Sequence, residues 1–162
     1  MRILIAGIGN MFLADDGFGV ELAQRLTDHE FPAEVTVADY GISGMHLAYD
    51  LMTGYDVTIL LDATTRGDEP GTITVVELDP AAPLHTESSQ HAVDAHGMQP
   101  DAVLDLLRLL GGKPGRMVLI GCEPAEITDR IGLSAPVRAA LDGARRAVID
   151  LVDHELAVRE GV

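Results

Sequence analysis

The sequence predicts a layered α/β domain with a mostly parallel sheet. Three observations carry that expectation. Short apolar runs recur along the chain, the most apolar being Val57–Asp62 (VTILLD), and continuous apolar runs of that length suit strands buried on both faces. Stretches with helical periodicity lie between most of them, and strand–helix alternation implies a parallel sheet covered by helices. Glycine and serine punctuate the boundaries at positions that stop or cap helices.

The elements follow in order. Arg2–Ala6 (RILIA) reads as a first strand ending at Gly7. A helix is expected from Asp16 to Leu26, because Phe18, Leu22 and Leu26 recur every four residues. Val35–Ala38 reads as the second strand. Ser43 is placed to cap a helix reaching Met52, with Gly54 as its stop. Val57–Asp62 is the third strand and Thr72–Leu78 the fourth. Only Thr65–Gly71 separates the last two, too short for a parallel crossover, so the fourth strand should run antiparallel to the third. Asp79–Met98 is a long polar loop carrying His85, His91 and His96; loops of that length are usually functional or disordered. Pro100 suits the first turn of a helix running to Leu110, closed by Gly111 and Gly112. Met117–Ile120 is the fifth strand. Ser134 should cap the last helix, whose inner face is Val137, Ala140, Leu141, Ala144, Val148, Leu151 and Val152. No repeat, linker or low-complexity segment interrupts the 162 residues, which are read as one domain, 1–162.

Charge and cysteine usage narrow the function. The net charge of −15 opposes phosphate backbones and anionic lipid, so neither nucleic acid nor membrane is expected as a partner. Cys122 is the single cysteine, which rules out an intrachain disulfide and a cysteine-based zinc site. The opening apolar run is too short for a signal peptide, and no run approaches a membrane span. A cytoplasmic protein is expected.

In open α/β sheets ligands bind beyond the carboxyl ends of the strands. Asp15 and Asp16 follow the first strand there, Asp39 and Asp62 end the second and third, His96 lies on the long loop, and Glu123 follows the fifth. Carboxylate and imidazole together suit a divalent metal such as nickel or zinc. Each residue also has a plainer explanation. Asp15 or Asp16 can cap the first helix, and Asp39 can bond the amides of a turn before Gly41. Asp62 is harder to explain away, because a carboxylate ending an apolar strand is costly unless paired or coordinated. His85 and His91 read as solvated, and Cys122 as a small buried hydrophobe. Gly7-Ile8-Gly9 after a strand invites a dinucleotide reading, but Phe12 stands where the third glycine belongs and two aspartates would repel a pyrophosphate.

Five blocks together resemble the nickel-iron hydrogenase maturation endopeptidases: GIGNMFLADDGFG at 7–19, ADYGISGMHL at 38–47, LLDA at 60–63, DAHGMQPDAVL at 94–104 and IGCEPAEITDRIGLSAPV at 120–137. They occur in the family's order and span nearly the whole chain. The resemblance implies a three-layer α/β/α sandwich with a five-stranded, mostly parallel twisted sheet. It implies an endopeptidase that removes a short C-terminal extension from the nickel-loaded precursor of the hydrogenase large subunit. The implied metal-contacting and catalytic residues are Asp16, Asp62 and His96, with Asp39 in a supporting place. Some family members carry Glu at the first of these positions; Asp16 is one methylene shorter. The nickel is expected to arrive with the substrate, in keeping with the absence of HExxH or GxSxG. Two chemistries stay open: the metal polarises the carbonyl or activates water, or it positions the peptide while an aspartate acts as base. A non-cleaving, nickel-dependent chaperone for the same precursor is the alternative function, and a nucleotide-dependent enzyme a more distant one.

Overall fold

A computed structural model describes residues 1–79 and 100–161. The strands are β1 (Ile3–Ile8), β2 (Val35–Gly41), β3 (Val57–Ala63), β4 (Ile73–Leu78) and β5 (Arg116–Cys122). The helices are α1 (Phe18–Leu26), α2 (Gly44–Leu51), α3 (Pro100–Leu109) and α4 (Ala135–Glu160), with a 3₁₀ turn at Ala14–Gly17 before α1. The sheet order is β2-β1-β3-β5-β4. Four strands are parallel and β4 pairs antiparallel with β5. The mixed five-stranded sheet is the expected one. The reversed direction of β4 also holds, but its hydrogen-bonded partner is β5 rather than its predecessor.

The period-2 alternation of strand side chains divides the core between two faces. Ile3, Ile5, Ile59, Leu61 and Ile120 join Phe18, Leu22 and Leu26 of α1 and Val137, Leu141, Ala144, Val148 and Val152 of α4. Leu4, Ala6, Ile8, Leu60, Met117 and Leu119 meet Leu47 and Leu51 of α2 and Val103, Leu104 and Leu107 of α3. These make the three layers. Each such Leu or Ile contributes roughly 1.5–3 kcal/mol through removal from water, so the central strands are mostly apolar, and β1 is buried throughout.

The boundaries depart from the sequence reading in ways that matter for the site. β1 runs on to Ile8, because Gly7 and Ile8 still pair with Asp39 and Gly41 of β2. Asp39 therefore lies within β2 rather than at its end. The first helix begins at Phe18, not Asp16, and Asp16 belongs to the 3₁₀ turn. Ser43 caps α2 as expected, accepting the His46 amide. Ser134 stands at the N-cap of α4 but makes no cap bond, because its hydroxyl goes elsewhere. α4 continues to Glu160, beyond the expected periodic face. Most of the long loop, with His85, His91 and His96, lies outside the described residues.

From β1 the chain passes to β2 on one side, then to β3 on the other. The crevice at the carboxyl ends of β1 and β3 is thus a topological switch point, where open α/β sheets bind ligands. α1 closes onto it at Gly19, where a Cβ would collide with the carbonyl oxygens of Leu61 and Ile8. Only glycine allows the start of α1 to sit this close to both strands.

Candidate active site

The loop after β1 separates two neighbouring aspartates. Ala14 adopts φ 50°, a left-handed conformation that costs a non-glycine residue roughly 1–2 kcal/mol. Across this bend Asp15 and Asp16 find different surroundings. Asp15 is fully buried. Its Oδ2 accepts the amides of Ala125 (2.8 Å) and Glu126 (3.1 Å) and the Ser134 hydroxyl (2.9 Å), while Oδ1 accepts the Ser134 amide (2.7 Å). Burial pushes its carboxyl up, but these hydrogen bonds outweigh burial and hold it below the usual 3.8. Asp15 does not cap α1. It fastens the segment between β5 and α4 to the loop after β1.

Asp16 faces the switch-point crevice. Its Oδ2 accepts the Asn10 amide at 2.8 Å. Burial raises its carboxyl, and that single hydrogen bond only partly offsets the effect. Asp62, at the carboxyl end of β3, is 4% exposed. Burial raises its carboxyl well above the usual value, repulsion from Asp16 adds to this, and the Ala63 amide works the other way. Asp16 thus lies close enough to Asp62 for its charge to oppose ionisation of the buried acid. A divalent cation between them would remove both the burial penalty and the repulsion, and an all-oxygen pair completed by an imidazole is a donor set that nickel or zinc accepts.

Asp39 is exposed on the other side of the loop after β1. It accepts the Gly41 amide (2.9 Å) and lies 3.4 Å from Gln24 Nε2. That is the turn-stabilising bond foreseen for it. It also lines a cleft of about 260 Å³ with Gly9, Met11, Phe12, Val20 and Ile42. Met11, Phe12 and Ile42 are exposed apolar side chains there, and Asn10 both lines the cleft and bonds Asp16. Asn10 thus borders both the cleft and Asp16.

Asp16 lies near enough to Asp62 for its charge to raise the Asp62 carboxyl, while His96 lies outside the described residues. Among the described residues no three acid, histidine or cysteine side chains form a metal-holding group. Glu123 turns away from the crevice and accepts the amides of Arg66 (2.7 Å) and Gly67 (3.3 Å), holding the turn after β3. Cys122 is fully buried in the α1/α4 core, and its thiol is pushed up to about 11 by burial, then by Asp15 and Glu123. Two side chains here were not distinguished by sequence reading. The binding task of Asp15 depends on donors 110–119 residues away, and the placement of Thr64 depends on the β3–β5 register.

The comparisons with known proteins bear on this arrangement. A family model described as hydrogenase maturation protease matches residues 20–151. The hydrogenase expression/formation protein HupD of Rhizobium leguminosarum bv. viciae is 38% identical over 145 residues, covering 88% of this chain and 70% of that protein. The hydrogenase 2 maturation protease of Escherichia coli K12 is 31% identical over 151 residues, covering 92% and 89%. The solved E. coli hydrogenase maturating endopeptidase HybD superposes with a TM-score of 0.77 at 28% identity, over 96% of this chain and 94% of that one. A hydrogenase maturation protease HycI from Thermococcus kodakarensis gives 0.73 at 25% identity, over 94% and 92%. The chain belongs to the hydrogenase maturation protease family, and it is an endopeptidase.

Proposed function

We propose that this endopeptidase cuts a short C-terminal extension from the large-subunit precursor of a nickel-iron hydrogenase, in the cytoplasm, and that nickel carried by the precursor is what it recognises. The observation that carries this reading is the pairing of Asp16 with Asp62. Both carboxyls are raised by burial at the switch point, and the charge of half-buried Asp16 adds to the cost of ionising buried Asp62. Such a pair is poised for a cation. Asp16, Asp62 and His96 are the residues that would hold it.

A peptide substrate is supported by the adjoining apolar cleft. Phe12, Met11 and Ile42 offer it hydrophobic surface, and Asp39 stands beside them. The strongly acidic surface discourages nucleic acid and anionic lipid as partners, and among the described residues no helix is long and apolar enough to cross a membrane. When present, the precursor's nickel supplies Lewis-acid character at the cut. The chain's own residues hold that ion, exclude water around Asp62 and keep the peptide in the cleft.

The donor set supports delivery by the substrate. Stable sites close around their ion with three or four ligands and a supporting shell, whereas open oxygen-rich sites hold transition metals less tightly than thiolate sites do. The enzyme should purify largely metal-free. The test mixes chelator-stripped enzyme with nickel-loaded and nickel-free precursor. Cleavage of the loaded form alone is expected; equal cleavage of both would defeat the reading.

A further inference from the structure

Thr64 lies one residue past β3, yet its backbone continues the strand: its amide donates to the Cys122 carbonyl at 2.9 Å. Side chains two apart on a strand share a face, so Thr64 projects on the same side as Asp62. The register sharpens this. Asp62 stands directly opposite Gly121 of β5. The Thr64 side chain leans back over Gly121, where a Cβ would collide with its Oγ1 and crowd its Cγ2. Gly121 leaves open the space that the Thr64 side chain fills, on the face of the sheet that carries Asp62.

The hydroxyl that occupies this space is buried and has no hydrogen-bond partner among the described residues. A buried unsatisfied hydroxyl costs roughly 1–3 kcal/mol. Valine has the same shape without that cost, so packing alone gives no reason for threonine. A buried polar group without a partner calls for an explanation beyond packing, and the adjacent carboxylate provides one.

We propose that Thr64 is a positioning residue of the active site, whose hydroxyl donates to the Asp62 carboxylate and fixes the oxygen that faces the substrate's metal. This rests on the reading that Asp62 engages that metal. Metal-binding carboxylates are generally oriented by hydrogen bonds of this kind. Gly121 has no side chain to stand between the two groups.

The experiment compares Thr64→Val, Thr64→Ser, Thr64→Ala and Asp62→Ala with wild type on nickel-loaded precursor, measuring kcat/KM and thermal melting. For Thr64→Val we expect kcat/KM to fall about 10–100-fold with an unchanged or raised melting temperature. Thr64→Ser should recover most of the loss. If Thr64→Val does not fold, Thr64→Ala reads the same quantity. Wild-type kcat/KM in the hydroxyl-free variants, with Asp62→Ala inactive, overturns the inference and leaves the metal reading standing. A loss of rate matched by a lower melting temperature and not recovered by serine also overturns it, because the role is then structural. Wild-type cleavage by Asp62→Ala overturns the metal reading itself, and this inference with it.

Discussion

Replacing Asp15 should remove much of the protein's stability without touching the crevice. Its carboxylate collects four hydrogen bonds, three from backbone amides and one from the Ser134 hydroxyl. Hydrogen bonds to a charged group contribute roughly 1.5–3 kcal/mol each, but burying the carboxylate offsets several kcal/mol of that sum. Asp15→Ala abolishes the bonds and strands the donors, and water entering the gap restores part of their hydrogen bonding. A net loss of about 3–5 kcal/mol follows, out of a total of about 5–15. In a chain of this size each kcal/mol moves the melting temperature by about 2–4 °C, so the drop is about 6–20 °C. Asp15→Asn should fall between. Its remaining oxygen can take the three donors now on Oδ2, but its amide then faces the Ser134 N–H. The pH dependence has a definite sign. Asp15 titrates below 3.8 in the fold, so its contribution is present above that value and is lost as pH falls through the lower folded value. The wild-type advantage over Asp15→Asn should shrink below pH 3.8. Thermal melts by circular dichroism at neutral and acid pH measure this. An Asp15→Ala protein within about 0.5 kcal/mol of wild type would refute the reasoning.

Asp62→Ala and His96→Ala should each abolish precursor processing while circular dichroism stays native; normal cleavage by either folded variant would dismiss that residue from the site. Asp62→Asn should stabilise the isolated enzyme by about 0.5–2 kcal/mol at neutral pH. A carboxyl raised by burial favours the fold while protonated and loses that contribution as pH rises through its folded value; an unchanged or lower melting temperature at pH 7 would contradict this. Cys122→Ala should cost about 1 kcal/mol through lost packing and leave cleavage intact, since burial raises its thiol to about 11. Inactivity of the folded variant, or inhibition by a thiol-blocking reagent without unfolding, would reopen the question of a nucleophile. Titration with NAD or FAD should give no saturable binding at micromolar concentration, the incomplete glycine pattern and Asp15 and Asp16 opposing it.

The fold was legible where local physics and tertiary context agree. Central strands β1, β3 and β5 are buried almost throughout, so their apolar runs stand out in the sequence. Ser43 and Gly54 bracket α2 because capping is a local hydrogen bond and a local turn. The direction of β4 followed from the shortness of one connection, but its neighbour did not, because connection length says nothing about sheet order. The far end of α4 escaped notice because its apolar repeat fades after Val152, where Asp153 and His154 are exposed. In the site, Asp62 was legible from its cost alone. Residue chemistry alone could not tell Asp15 from Asp16, since both are acids beside a helix start and the partners of Asp15 lie far along the chain; only the family resemblance singled out Asp16. Ser134 was placed correctly as an N-cap, yet its hydroxyl serves Asp15, a long-range contact that no local pattern encodes.

The contrast between these adjacent aspartates bears on how a precursor without metal is rejected. Asp15 is lowered because four donors surround it and outweigh its burial; Asp16 is raised because burial outweighs its one donor. The fold can evidently supply donors to a carboxylate at this loop, and it supplies them to Asp15, not to the crevice. On the proposed reading that imbalance is functional. A precursor lacking nickel would seal Asp16 and Asp62 further from water and offer nothing in return, so docking would deepen an existing penalty. A loaded precursor brings the cation that cancels the repulsion between the two acids. The same contacts would then be unfavourable or favourable according to one ion, and discrimination would need no separate sensing element. It follows that neutralising one acid, as in Asp62→Asn, should weaken binding of loaded precursor while easing that of empty precursor. The ratio of the two affinities, measured with chelator-stripped enzyme, is the quantity on which the idea stands, and a ratio unchanged from wild type would remove its basis.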